Sequence, residues 1–259
     1  MSSRALTGRV FVIGLGPGDP SLLTGEARAA LDLCTDLFGY FPYIDRIPER
    51  AGVTRHASDN REELARAGTA LELALTGKTV GIVSGGDPGV FAMASAVFEA
   101  IDTGPPEWRS LDITVVPGIS AMLAAAARLG APLGHDFAVV SLSDNLKPWA
   151  LVLSRIGAAA GAGFALALYN PISRARPWQL GAALDHLRTI LPGETPVVFA
   201  TAVSRPDERL DILSLAEADP ARADMRTLVL IGTAETRRIA RSEGRDWLYA
   251  PRAAAKVLA

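Results

Sequence analysis

The sequence contains one cysteine, Cys34, so no intrachain disulfide can form and no Cys-x-x-Cys pair exists. That agrees with a reducing, cytoplasmic setting. It has three histidines, His56, His135 and His186, far apart and without metal-ligand spacing, and no metal site is expected. The formal net charge is only -2, so the basic excess of a nucleic-acid binder is missing. Residues 1–20 lack the layout of a signal peptide, because the apolar run is short and stops at Gly-Pro-Gly-Asp. The longest charge-free run, residues 156–173, holds three glycines and a proline. It reads as helix end, turn and strand, not as a membrane span. There is no G-x-x-x-x-G-K-[ST] and no G-x-S-x-G, which excludes a P-loop and a nucleophile elbow of those types. Internal repeats and low-complexity linkers are also missing.

What is present suits a packed α/β protein: 49% hydrophobic and 21% charged residues in a chain of 259. Apolar runs of strand length alternate with amphipathic stretches. The pattern breaks at Gly130-Ala131-Pro132-Leu133-Gly134. An N-terminal α/β domain is therefore expected over residues 1–133, a C-terminal α/β domain over 134–250, and a tail over 251–259. In the first half, strands are expected at 10–13, 36–40, 79–84 and 113–116, with helices at 21–33, 60–75, 92–101 and 122–129. Asn60 is the expected cap of the second of these helices. The aromatic, Pro-broken stretch 41–45 reads as loop. In the second half, strands are expected at 137–142, 164–169, 196–203 and 227–231, and helices at 148–156 and 178–191. Residues 1–8 read as a loose tail.

Three strands of the first half end in Gly/Pro turns. These are Gly14-Leu15-Gly16-Pro17-Gly18-Asp19, Gly85-Gly86-Asp87-Pro88-Gly89-Val90 and Pro117-Gly118-Ile119-Ser120-Ala121. Glycine permits positive φ and close approach, and proline stiffens the turn. Each turn alone is ordinary punctuation between strand and helix. Three together favour a shared small ligand at one rim of a parallel sheet. The first turn is a poor dinucleotide fingerprint, since its third glycine comes one residue too early for G-x-G-x-x-G. Asp87 suggests a cationic or zwitterionic ligand, unless its carboxylate merely bonds its own turn. A nucleoside, a nucleotide and S-adenosylmethionine (SAM) all remain open on the residues alone.

The order and separation of these three turns resemble those of the tetrapyrrole (corrin and porphyrin) methylases, over about residues 8–235. The resemblance implies two α/β domains with SAM in a cleft between them, S-adenosylhomocysteine (SAH) as product, and a homodimer. Carried over by motif, the cofactor contacts would be Pro17, Gly85, Gly86, Asp87, Val90, Ser120 and Ala121. In the second domain they would be Tyr169, Asn170, Ala200, Thr201 and Ala202. Many members have Tyr-Met where this chain has Tyr169-Asn170. Tyr40-Phe41-Pro42-Tyr43, the stretch 141–149 and the pattern Tyr169-Asn170-Pro171-Ile172-Ser173-Arg174-Ala175-Arg176 are most similar to the ring-contracting branch of the family. That branch methylates precorrin-3B, or its cobalt counterpart, at carbon 17. Candidates for the implied proton transfer are Tyr43, His56, Asp144 and Ser173. Substrate carboxylates would meet Arg174 and Arg176, with Arg55 and Lys147 as further candidates. Another methylase of the same family stays open, as does a nucleotide-binding module or an NAD-dependent oxidoreductase.

Overall fold

A computed structural model describes residues 8–59 and 61–253. The chain divides into two compact units, Met1–Ser120 and Ala121–Ala259. This division precedes the boundary expected after residue 133. The helix at 121–129 goes with the second unit, where it packs on strands described below.

The first unit is built on β1 (Arg9–Gly14), α1 (Gly25–Leu33), β2 (Asp36–Tyr40), α2 (Phe41–Ile44), β3 (Thr54–Ser58), α3 (Glu63–Leu75), β4 (Thr79–Ser84), α4 (Met93–Thr103) and β5 (Asp112–Val116). The sheet order is β3-β2-β4-β1-β5, and each pairing is parallel. A parallel sheet covered on both faces needs apolar residues on both faces of its strands. In β1, Val10 and Val12 pack with Ala67 and Leu71 of α3 and Val97 of α4. The alternate residues Phe11 and Ile13 pack with Ala27 and Leu31 of α1. This accounts for the unbroken apolar run in the sequence. Strands β4, β1 and β5 are neighbours, so their three C-terminal turns lie side by side.

Several expectations are corrected here. The helix expected at 21–33 is split: a 3-10 turn at Pro20–Leu22 comes first, and Thr24 caps α1 through a bond from the Ala27 amide. Asn60, the expected cap, lies outside the described residues. Helix α3 starts at Glu63, and the preceding Glu62 makes no side-chain cap bond. Stretch 41–45 is not loop but contains α2. Proline is well tolerated in a first helical turn, and Ile44 is buried. Strand β3, with sequence Thr-Arg-His-Ala-Ser, has no apolar run because it lies at the sheet edge.

The second unit comprises α5 (Ala121–Leu129), β6 (Gly130–Ala131), β7 (Phe137–Ser141), α6 (Trp149–Gly161), β8 (Ala165–Tyr169), α7 (Gln179–Arg188), β9 (Pro196–Thr201), β10 (Arg209–Ser214), β11 (Thr227–Ile231), β12 (Arg237–Ile239) and β13 (Trp247–Tyr249). Its main sheet, β10-β9-β11-β8-β7, is mixed: β7 and β8 are parallel, and the other pairs are antiparallel. Helices α6 and α7 bury Val152, Ile156, Leu180 and Leu184 against Leu166, Leu168, Phe199 and Val229. A small sheet, β12-β13-β6, joins the end of α5 to the last described strands. Helix α5 packs on β11 and β13. Strands β12 and β13, three residues each, are too short to be legible in the sequence, and β10 (Arg-Leu-Asp-Ile-Leu-Ser) was not anticipated either. Among the described residues no helix is long and apolar enough to cross a membrane.

Candidate functional site

In the first unit, backbone bonds lock the three turns together. Gly16 and Gly86 exchange N–H···O bonds of 3.1 and 2.9 Å, an isolated antiparallel bridge between the first turn and the second. Both glycines have positive φ, 67° and 68°, which only glycine takes without strain. The Asp87 carboxylate joins the second turn to the third: one oxygen accepts from Gly89 N at 2.8 Å and the other from Gly118 N at 3.0 Å. A Cβ on Gly118 would lie 2.2 Å from the Gly86 carbonyl oxygen, and one on Gly14 would lie 2.7 Å from the Gly118 nitrogen. The crowding that requires these glycines is turn against turn.

Within this assembly Pro17 is buried, while Gly85, Gly86, Asp87 and Val90 are half-buried. The Val90 amide closes the second turn onto the Asp87 carbonyl. Ser120 is 3% exposed, and its hydroxyl oxygen has no hydrogen-bond partner among the described residues. A buried hydroxyl without a partner is costly unless a water or a ligand completes it. Phe91, just past the second turn, holds φ at 52° and is half exposed.

Two side chains of the α2 region reach the turns. Tyr43 lies against Gly85, where an added Cβ would come within 2.7 Å of its ring, and it meets Tyr40 edge-on at 5.5 Å. The Arg46 guanidinium donates to carbonyls of the first turn. Sequence reasoning missed Arg46, since nothing in the sequence separates it from the neighbouring arginines.

His56 and Arg55 are engaged elsewhere. His56 stacks on Phe38 at 4.1 Å, and its Nε2 lies 3.0 Å from an Asp36 carboxylate oxygen. Asp36 begins β2, at the strand end opposite the turns. Lys78 Nζ at 3.0 Å and Thr35 Oγ1 at 2.9 Å complete its partners. Burial alone would raise the Asp36 pKa, but bonds from His56, Lys78 and Thr35 outweigh it and hold the carboxyl below its ordinary value. Arg55 donates to the carbonyls of Ile44 and Ile47 and pairs with Glu49 at 3.4 Å.

The second unit has its own assembly at the ends of β7, β8 and β9. The Tyr169 hydroxyl accepts from the Met122 amide at 3.0 Å, capping the first turn of α5 after Ala121. Asn170 has φ 52° and donates from Nδ2 to Ser141 Oγ at 2.9 Å. Asparagine is among the few non-glycine residues that enter this region readily. At the end of β9, Ala200 and Thr201 are buried, and Thr201 Oγ1 meets Thr227 Oγ1 at 2.9 Å. Ala202 follows with φ 51° and Ser204 with φ 63°. Left-handed backbone at alanine and serine is sparsely populated and tends to mark functional loops.

Ser173 and Arg176 close a tight turn through mutual backbone bonds of 3.1 and 3.0 Å. The Arg176 guanidinium donates to the Asn170 carbonyl at 3.2 Å. Arg174 is exposed, with no partner among the described residues. Both Asp144 oxygens accept from Gln179 Nε2 at 3.2 Å, and Gln179 is another residue the sequence did not single out. Burial, then the nearby Arg155, lowers the Lys147 pKa. Among the described residues no cluster of His, Cys, Asp and Glu could hold a metal ion.

Comparison with known proteins shows the family. The profile of the family described as Tetrapyrrole (Corrin/Porphyrin) Methylases matches residues 9–219. The precorrin-3B C(17)-methyltransferase of Sinorhizobium sp is 56% identical over 95% of this chain and 97% of its own length. A probable cobalt-factor III C(17)-methyltransferase of Salmonella typhimurium is 36% identical over 87% of this chain and 92% of its own. The crystal structure of the methyltransferase CobJ matches with a TM-score of 0.91 at 50% identity, covering 95% of this chain and 100% of that one. The uroporphyrin-III C-methyl transferase of Thermus thermophilus, complexed with S-adenyl homocysteine, has a TM-score of 0.64. At 23% identity, over 87% of this chain and 92% of that one, it shows a shared fold.

Proposed function

This chain belongs to the tetrapyrrole (corrin/porphyrin) methylase family, and we propose from that premise that it is the SAM-dependent methyltransferase acting on carbon 17 of precorrin-3B in cobalamin biosynthesis. The observation that carries this reading is the 56% identity to the Sinorhizobium enzyme along nearly the full length of both chains. The lower identity to the cobalt-factor III enzyme, 36%, favours the metal-free substrate.

The family uses SAM, and the residues present fit it. The buried Ser120 hydroxyl, which has no partner among the described residues, is an available hydrogen-bonding group. The three turns are tied to one another by backbone bonds and by the Asp87 carboxylate. We assign cofactor contacts to Pro17, Gly85, Gly86, Asp87, Val90, Ser120 and Ala121, and to Tyr169, Asn170, Ala200, Thr201 and Ala202. When bound, the cofactor supplies a methyl group already electrophilic on its sulfonium. The protein's own contribution is therefore alignment and exclusion of water, which together are worth several kcal/mol.

Arg174 has its guanidinium available for a substrate carboxylate. Arg176 fixes the backbone of Asn170 and closes the same turn. Asp144 and Ser173 lie on the two segments that carry Lys147, Arg174 and Arg176, so they are our candidates for moving the proton of the carbon-20 hydroxyl. Loss of that proton, with collapse to a ketone, drives bond migration in the methylated substrate. The macrocycle contracts and carbon 20 is left in an acetyl group. This reading also assigns a homodimer in the cytoplasm.

Calorimetry with SAH and with NAD tests the cofactor assignment. SAH is expected to bind and to raise the melting temperature, because it stabilises only the native state. NAD binding without SAH binding would replace this reading with an oxidoreductase.

A further inference from the structure

One nitrogen of the Arg46 guanidinium, Nη2, faces three carbonyl oxygens of the first turn. It donates to Leu15 at 2.8 Å, Gly16 at 3.1 Å and Gly18 at 3.4 Å. These carbonyls flank Pro17. Carbonyl oxygens that converge repel one another, and a cation among them offsets the repulsion. The planar guanidinium does so with fixed donor directions, which a lysine ammonium lacks.

Arg46 is itself held in place. Helix α2 ends at Ile44, which is 2% exposed, and the Arg46 amide bonds the Tyr43 carbonyl at 3.2 Å. Gly39 makes room for this packing: a Cβ there would lie 2.6 Å from Val83 Cγ2 and 3.1 Å from Ile44 Cγ1. The same short segment presses Tyr43 against Gly85. It therefore touches the first turn through Arg46 and the second through Tyr43, and the Gly16–Gly86 bridge joins the two turns.

We propose that Arg46 is a positioning residue for cofactor binding, holding the first turn in its binding conformation before SAM arrives. The proposal rests on the methylase reading, which puts the cofactor at Pro17. A turn already ordered adds no ordering cost to binding. Without the clamp, part of the binding energy is spent on closing the turn. The cofactor then binds more weakly, while events at the tetrapyrrole are little altered once SAM saturates the enzyme. A purely structural arginine would lower the melting temperature and leave the affinity of the folded enzyme unchanged.

The test uses the full chain as wild type, Arg46→Lys and Arg46→Gln. SAH affinity is read by calorimetry, and the melting temperature is taken without ligand. In Arg46→Gln, SAH affinity is expected to fall about tenfold or more, and the SAM KM to rise in step. In the same variant kcat and the tetrapyrrole KM stay within about twofold of wild type. Arg46→Lys should recover part of the loss. If wild type fails to bind SAH, the methylase reading itself falls. If wild type binds and both variants match its affinity, only the Arg46 proposal falls. Should Arg46→Gln not fold, Arg46→Lys decides: intermediate affinity supports the proposal and wild-type affinity overturns it.

Discussion

Gly118→Ala perturbs the point where the three turns converge. The new Cβ would sit 2.2 Å from the Gly86 oxygen and 2.9 Å from the Gly14 backbone carbons. No flexible side chain is there to yield, so backbone must separate by about 1 Å to reach ordinary contact. Overpacking of this kind costs about 1–3 kcal/mol. The same movement strains the bond from Gly118 N to the Asp87 carboxylate, 3.0 Å in the native chain. A hydrogen bond to a charged group is worth about 1.5–3 kcal/mol. If part of it is lost, the total is roughly 2–5 kcal/mol. For a chain of this size that corresponds to a melting temperature lower by about 5–15 °C. SAH affinity should fall as well, because the turn carrying Ser120 has moved. Gly161→Ala is the control: a Cβ there has nothing within 4 Å, and alanine in a helix is favoured over glycine by about 1 kcal/mol. The assay is thermal unfolding with and without SAH. Wild-type melting temperature and SAH affinity in Gly118→Ala would refute the claim that turn-to-turn contact dictates glycine here.

Asp36→Asn should destabilise the first unit at neutral pH, because it removes the charge that Lys78 and His56 share; both partners are partly exposed, so the loss is about 1 kcal/mol. The folded-state pKa of Asp36 is depressed, so its contribution is present above the ordinary carboxylate value and is lost as pH falls through the lower folded value. Urea unfolding of wild type and mutant should therefore converge as pH falls below the ordinary carboxylate value, and a gap independent of pH would contradict the network. Arg174→Ala should weaken tetrapyrrole binding by about 1.5–3 kcal/mol while SAH affinity holds, as equilibrium titration can show. It is a cleaner probe than Arg176→Ala, because the Arg176 guanidinium also supports the Asn170 carbonyl.

The three Gly/Pro turns were legible because strand, glycine and proline occur together, and β1, β4 and β5 are adjacent in the sheet as that reading required. The use of their glycines was less legible. Sequence suggests room for a ligand, whereas Gly14 and Gly118 face other turns. Asp87 shows the same limit, since its two backbone partners lie two and 31 residues away. Arg46 and Gln179 act through contacts distant in sequence and belong to no motif. Helix α2 was obscured by Pro42, which breaks most patterns but suits a first turn. Edge strand β3 has too few apolar residues to stand out from loops. The left-handed residues Asn170, Ala202 and Ser204 have no sequence signal beyond the preference of asparagine.

One reaction matters most: methyl transfer to carbon 17 coupled to ring contraction in one chain. It is tested most directly by incubating the purified protein with precorrin-3B and methyl-labelled SAM, with carbon 20 of the substrate also labelled. One new methyl group in the product and a carbon-20 resonance in the range of an acetyl carbonyl are expected. A methylated product with an intact macrocycle that persists in the presence of enzyme would contradict it and move the chain to another methylase of the family.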